Sequence, residues 1–232
     1  MKTSTQLKAL LRNLSKKTNA EAEILLRNFM LERFLERVSI SEYRKNFILK
    51  SGMLIASMVG IDTRSTMDMD ATIKGQKLTA EEISAVCTNI LSVHIDDGVD
   101  LNLRDIEEIR EEADYPGYRV SIEARLDKTR QTLKVDITTG DYVTPKEIEY
   151  RFKLMFEDRE INILAYNLET VLAEKLETII TRGITNTRMR DFYDIYILIN
   201  THHMVAQRPE FYPKLARFSL SSNPAIHKGL RA

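Results

Sequence analysis

The segment from Thr66 to Ile73 alternates polar and apolar residues through Met67, Asp68, Met69, Asp70, Ala71, Thr72 and Ile73. A period of two belongs to a strand, whose successive side chains face opposite sides. A strand needs partners, so the chain has to build a sheet around this segment. Asp68 and Asp70 then project from one face, with side chains about 6 to 7 Å apart along the chain. Carboxylates so placed can share divalent cations, and two ions about 3.5 to 4 Å apart activate an attacking hydroxyl and steady a leaving pyrophosphate. Taken alone, the pair reads more simply as exposed strand carboxylates, and its surroundings have to decide.

Partners for the strand are at hand. Val99 to Ile106, Tyr118 to Leu126 and Thr132 to Ile137 read as strands, separated by an acidic loop with Pro116 and Gly117 and by the polar link Asp127 to Gln131. With the Met67 strand they predict a mixed sheet. Helical spacing of apolar residues predicts helices over residues 4–17 and 20–38, the second carrying Ile24, Leu25, Phe29, Leu31, Phe34, Leu35 and Val38. Phe47 to Leu49 reads as a strand, Lys50, Ser51 and Gly52 as a glycine turn, and Met53 to Val59 as a short helix. Thr79 with Glu82 is a capping-box pair opening a helix that ends near Val93. Two short strand-like runs end near Leu164, Asn167 is the N-cap candidate of a helix to Arg182 closed by Gly183, and a last helix covers about Arg190 to Thr201. Pro209, Pro213 and Pro224 interrupt the tail. The expected fold is therefore α/β (α+β), a mixed β-sheet core with N-terminal helices and a C-terminal helical part. The expected organisation is N-terminal helices over 1–45, a sheet core over 46–150, and C-terminal strands and helices over 151–232.

The formal charge is zero, but it is unevenly spread. Lys plus Arg stands against Asp plus Glu at 11 to 5 over residues 1–50, 11 to 20 over 51–150 and 12 to 9 over 151–232. An acidic middle between basic flanks suits a metal site beside cationic surface for a polyanion, although Asp105 to Asp114 reads as a solvated acidic stretch. The single cysteine, Cys87, cannot form an internal disulfide and reads as a packing residue in a reduced compartment. The N-terminus lacks the apolar core of a signal peptide, and no uncharged apolar run approaches the roughly 20 residues of a membrane span. These features predict a cytoplasmic protein. His94, His202, His203 and His227 share no metal-ligand spacing. Tyr115, Tyr118, Tyr142 and Tyr150 read as packing residues rather than as base-stacking ones.

Around the acidic pair the residues gain meaning. The Ser51–Gly52 turn opens a helix, whose N–H groups and positive end can cradle a phosphate. Arg64, Ser65 and Thr66 immediately precede the carboxylates. A third carboxylate, Asp136, sits in the alternating run Lys134, Val135, Asp136, Ile137, and a strand there beside the first lets all three converge on a metal pair. Lys175, on the polar side of its helix with Thr178 and Arg182, can reach a triphosphate or be an ordinary solvated lysine. Asp191 and Asp194 share one face near the start of the last helix, where the dipole favours carboxylates.

Lys50, Ser51 and Gly52, then fifteen intervening residues, then Asp68, Met69 and Asp70, and later Asp136, form an order that resembles the DNA polymerase beta superfamily of nucleotidyltransferases. Within it the chain resembles the AbiEii-like nucleotidyltransferase toxins of type IV toxin-antitoxin (abortive infection) systems. The run Arg64, Ser65, Thr66, Met67, Asp68, Met69, Asp70 fits their first motif. Ala173, Glu174, Lys175, Leu176 and Arg190, Asp191, Phe192, Tyr193, Asp194, Ile195, Tyr196 fit their later Lys and Asp motifs. The resemblance spans roughly residues 40–200.

The resemblance implies a nucleoside triphosphate (NTP) as substrate, Mg²⁺ or Mn²⁺ as cofactor, and transfer of NMP to a hydroxyl on a tRNA end or a protein side chain. It implies Asp68, Asp70 and Asp136 as catalytic and metal-holding residues, Ser51, Gly52, Arg64, Ser65, Lys175 and Asp191 as NTP-binding residues, and a cognate antitoxin as partner. Two other readings stay open at this level: a metal-dependent nuclease, which the same carboxylates serve, and a catalytically silent nucleotide-binding partner that keeps the fold.

Overall fold

A computed structural model of the protein describes residues 3–64, 66–75, 78–109, 117–139, 143, 146–182 and 189–201. Helix α1 (Ser4–Thr18) starts where the Thr3 hydroxyl accepts from the Gln6 amide and ends at Asn19, whose φ of 57° asparagine tolerates. Helix α2 (Ala22–Ile40) departs from the amphipathic expectation. It is buried almost all round, including Glu32, Arg33, Glu36 and Arg37. Buried charges survive only when paired, and Arg33, Glu36 and Arg37 are, while Glu32 accepts from the Met155 amide at 3.0 Å. Arg37 forks onto Asp97 at 2.9 and 3.2 Å and donates to the Val99 carbonyl at 2.7 Å. Arg33 meets Glu157 at 2.7 Å and Glu36 at 3.0 Å, and Arg159 binds Glu36 and Glu157.

Seven strands make one mixed sheet among the described residues: β1 (Phe47–Lys50), β2 (Met69–Ile73), β3 (Val99–Ile109), β4 (Gly117–Leu126), β5 (Thr129–Thr139), β6 (Ile148–Lys153) and β7 (Glu160–Ala165). Their order is β3-β4-β5-β2-β1-β7-β6. The pairs β5–β2 and β2–β1 are parallel and antiparallel respectively, and β1–β7 is parallel. On β4, Val120, Ile122, Ala124 and Leu126 are buried and alternate with half-buried Arg119, Ser121, Glu123 and Arg125. On β5, Leu133, Val135 and Ile137 are buried, while Lys134 is exposed and Asp136 half-buried. One face of this meander is thus core, each fully buried Ile, Leu or Val contributing about 1.5 to 3 kcal/mol. The other face carries the polar side chains.

Three local differences from expectation matter. The β2 strand begins at Met69, so Asp68 lies just ahead of it rather than on it. The reason is that Thr66 Oγ1 donates to the Asp68 carbonyl at 2.9 Å, taking an acceptor a strand would offer to its neighbour. The link between β4 and β5 shrinks to Asp127 and Lys128, with Asp127 at φ 51° and accepting from Ser4 Oγ at 2.8 Å. The edge strand β3 extends past Ile106 to Ile109, with Asp105, Glu107 and Glu108 exposed as a solvated stretch requires.

Helix α3 (Ser51–Val59) follows β1 without a linker, and α4 (Ala80–Leu91) carries the full capping box of Thr79 and Glu82. Cys87 is buried in α4, and burial pushes its thiol up to about 12, as befits a packing residue. Tyr118 is buried with its hydroxyl on the Leu78 carbonyl, and Tyr150 pairs with Ser57. Tyr115 and Tyr142 lie outside the described residues.

The chain divides into two compact units, Met1–Tyr142 with Ile148–Ala165, and Val143–Glu147 with Tyr166–Ala232. The first holds the sheet and α1 to α4. The second holds α5 (Leu168–Arg182) and α6 (Met189–Thr201), with Asn167 capping α5 by accepting from the Thr170 amide at 2.8 Å. Gly183 and the proline-interrupted tail lie outside the described residues. Among the described residues, no helix is long and apolar enough to cross a membrane.

Candidate active site

Asp70 and Asp136 are register partners on the parallel strands β2 and β5. Register partners share a sheet face and stand about 5 Å apart, so two carboxylates lie side by side. The same level continues in both directions. Asp136 is opposite Arg119 on β4, Arg119 is opposite Glu107 on β3, and Asp70 is opposite Lys50 on β1. Five charged residues therefore cross five strands in the order Glu107, Arg119, Asp136, Asp70, Lys50. Directly opposed like charges destabilise a sheet, and here a cation flanks the acidic pair on either side. Arg119 donates from Nε to Asp136 Oδ1 at 2.8 Å and from Nη2 to Oδ2 at 2.7 Å, a bidentate fork. Hydrogen bonding to Asp136, and then its charge, holds the Arg119 proton more firmly than usual, with Asp68 and Glu107 adding to the effect.

Asp68 is exposed, two residues ahead of Asp70. Its segment is anchored from within the core. The Asn28 amide on α2 donates to the Thr66 carbonyl at 2.7 Å, and both Thr66 and Arg64 are buried. They lie against the start of α3. A Cβ on Gly52 would meet Thr66 Oγ1 at 2.8 Å and Arg64 Nη2 at 3.4 Å, so only glycine permits this approach. The preceding residue, Ser51, holds φ 44°, a left-handed conformation that non-glycine residues rarely adopt and that concentrates at functional sites. Ser51, Gly52 and Arg64 thus sit together at a nine-residue helix's positive end, a place suited to a phosphate. Ser65 lies outside the described residues.

In the second unit Lys175 is not a solvated helix lysine. Its ammonium lies 2.6 Å from Asp191 Oδ1 and 3.0 Å from Asp194 Oδ2, with Asp191 and Asp194 both buried. The shared helix face inferred for Asp191 and Asp194 is therefore turned toward α5. Asp191 Oδ2 is buried and makes no hydrogen bond among the described residues.

The structure thus joins Asp70 to Asp136, gathers Ser51, Gly52, Arg64 and Thr66, and joins Lys175 to Asp191. Sequence reasoning missed Arg119 and Glu107, whose place depends on strand register. Among the described residues no group of three or more His, Cys, Asp and Glu is gathered tightly enough to hold a metal ion as it stands. The donor set nevertheless suits a hard divalent cation, because Asp68, Asp70 and Asp136 offer only carboxylate oxygens and two of them are neighbours. A polar cleft of about 650 Å³ opens elsewhere in the first unit, lined by Arg37, His94, Asp100 and Arg125 among others, and contains none of these residues.

A family model described as "Nucleotidyl transferase AbiEii toxin, Type IV TA system" matches residues 33–223. No curated protein sequence matches the chain. Among solved structures, the antibiotic-resistance factor ANT(2'')-Ia is 13% identical with a TM-score of 0.51, covering 90% of this chain and 99% of that one. JHP933 from Helicobacter pylori is 16% identical with a TM-score of 0.48, covering 91% and 96%. An antigenic nucleotidyltransferase-like protein from Paracoccidioides brasiliensis is 15% identical with a TM-score of 0.41, covering 93% and 94%. At such identity the first of these likenesses establishes the fold.

Proposed function

Since the chain belongs to the AbiEii family of nucleotidyltransferase toxins from type IV toxin-antitoxin systems, we propose that it transfers NMP from a nucleoside triphosphate to a hydroxyl acceptor. The observation that carries this reading is the in-register opposition of Asp70 and Asp136. In the reaction the acceptor oxygen bonds to the α-phosphorus, the α–β phosphoanhydride bond breaks, pyrophosphate leaves, and the hydroxyl proton passes to a base or to water. We assign Asp68 and Asp70, with Asp136, to holding Mg²⁺ or Mn²⁺, which when bound neutralises charge on the reacting phosphate and the leaving group. Asp136 also positions or deprotonates the acceptor hydroxyl. Ser51 and Gly52, at the start of α3, present backbone N–H groups to phosphate oxygens, and Arg64 and Ser65 add to that grip. Lys175, oriented by Asp191 and Asp194, is assigned to the triphosphate. The acceptor is a tRNA end or a protein side chain, a cognate antitoxin restrains the activity, and the reaction runs in the cytoplasm, where NTP is abundant.

The test is incubation of the purified chain with Mg²⁺, each α-labelled NTP in turn and total tRNA, beside Asp70→Asn and Asp136→Asn. Label should appear on RNA or protein with a preferred NTP and fall roughly 100-fold or more in either variant, the scale on which loss of one charge-stabilising group acts. Strand cleavage without label transfer would turn the reading to a nuclease. Neither activity, with NTP affinity unchanged in both variants, would turn it to a silent partner.

A further inference from the structure

Arg119 is placed between two carboxylates. Its register neighbour on one side is Asp136 and on the other is Glu107. It is forked onto Asp136, occupying both oxygens at 2.7 and 2.8 Å. Glu107, on the exposed edge strand, makes no ion pair among the described residues. The Arg119 side chain is 36% exposed, against 17% for Asp136, so burial holds the carboxylate but not the guanidinium. A guanidinium is a delocalised cation on a long flexible stem, able to pivot across one strand spacing of about 5 Å.

We infer that Arg119 is a two-position counter-cation, resting on Asp136 while no divalent ion is bound and crossing to Glu107 when an ion takes Asp136. The inference rests on the reading of Asp70 and Asp136 as the ion-holding pair. Two adjacent carboxylates need positive charge beside them in either state. Without an ion Arg119 on β4 supplies it at Asp136, as Lys50 on β1 stands opposite Asp70. An ion that draws on Asp136 both competes for its oxygens and repels the guanidinium, and Glu107 offers the displaced group an equivalent fork. Arg119 in this role is a positioning residue acting through Asp136, and it makes ion affinity a property of three strands rather than of the carboxylates alone.

The test is Mn²⁺ titration of the full chain without nucleotide, free Mn²⁺ being read by electron paramagnetic resonance. Wild type is compared with Arg119→Gln, Arg119→Lys, Glu107→Gln and the double variant Arg119→Gln/Glu107→Gln, each checked for folding by circular dichroism. Arg119→Gln should tighten Mn²⁺ binding roughly 5- to 10-fold and Glu107→Gln should weaken it by a smaller factor, in the range of ordinary site-to-site coupling. In the double variant the Glu107 effect should vanish, because no guanidinium is left to receive. Arg119→Lys, which keeps the charge but cannot fork, should fall between wild type and Arg119→Gln and covers the case of a Gln variant that does not fold. Unchanged or weaker Mn²⁺ binding in Arg119→Gln overturns the inference, as does a Glu107→Gln effect that persists without Arg119. Label transfer by wild type with no gain in Arg119→Gln would remove the inference and leave the transferase standing. The gain without any transfer would do the reverse.

Discussion

At Gly52 a single methyl group separates a formed site from a distorted one. Thr66 cannot retreat from an added Cβ, because its hydroxyl donates to the Asp68 carbonyl and its carbonyl accepts from Asn28. Gly52→Ala should therefore cost about 1 to 3 kcal/mol, the usual range for overpacking, read from the denaturant midpoint. Thr66→Ala in the same chain should recover part of it, since the atom met at 2.8 Å is removed. No recovery would mean that the backbone at Ser51, rather than the contact, sets the cost. Much of this corner was legible from residue types alone. Glycine after serine before an apolar helix, with Arg64 and Thr66 ahead of a carboxylate pair, marks the helix start for which a phosphate is proposed. Lys175 shows the limit of such reading. Its spacing with Thr178 and Arg182 places it on a polar face, but polarity does not distinguish solvent from a buried acidic pair.

Between elements, the α5–α6 pair is held by charge in its interior. Lys175 on α5 meets Asp191 and Asp194 on α6, and Asp194 is fully buried. Removing the cation leaves two buried carboxylates, Asp191 and Asp194, without their shared ammonium, so Lys175→Met should destabilise by about 3 to 5 kcal/mol, seen as a lowered melting temperature. Lys175→Met combined with Asp191→Leu and Asp194→Leu should restore stability, though not activity, if α5 and α6 need only packing. At the surface, Thr79→Ala should cost α4 about 1 kcal/mol by removing half of its capping box. That cap, the Asn167 cap and the helix spans were legible, because local hydrogen bonding decides them. Strand ends were not. Thr66 took the Asp68 carbonyl from the ladder, and the link after Leu126 proved to be only Asp127 and Lys128. Had that link been read as a two-residue turn, the hairpin would have set Arg119 opposite Asp136 by simple counting.

In the molecule as a whole, α2 is the buried axis of the first unit, and its ionisable groups tie stability to pH. Burial, more than the charges around it, pushes the Glu32 carboxyl up from 4.5 to about 8, against the Met155 amide hydrogen bond that lowers it. The folded chain thus keeps a proton that the unfolded chain releases above about pH 4.5. Stability from this group is full below that value and is lost as pH rises toward 8. Urea midpoints should fall between pH 5 and pH 8 in wild type and change less in Glu32→Gln, whose neutral amide still accepts from Met155. A slope unaltered by the substitution would place the pH dependence elsewhere. The overall charge pattern was a fair guide to the acidic middle but not to its use. The two carboxylates brought into register, Asp70 and Asp136, lie inside the sheet on β2 and β5, whereas Glu107 and its neighbours line an edge. That parallel pairing has a consequence for how the molecule comes into being. Asp70 and Asp136 meet only through a pairing that spans most of the core sequence, and such long-range contacts form late and slowly. During synthesis the first strand of the site emerges long before its partner, so a growing toxin chain carries no acidic pair until β5 has left the ribosome.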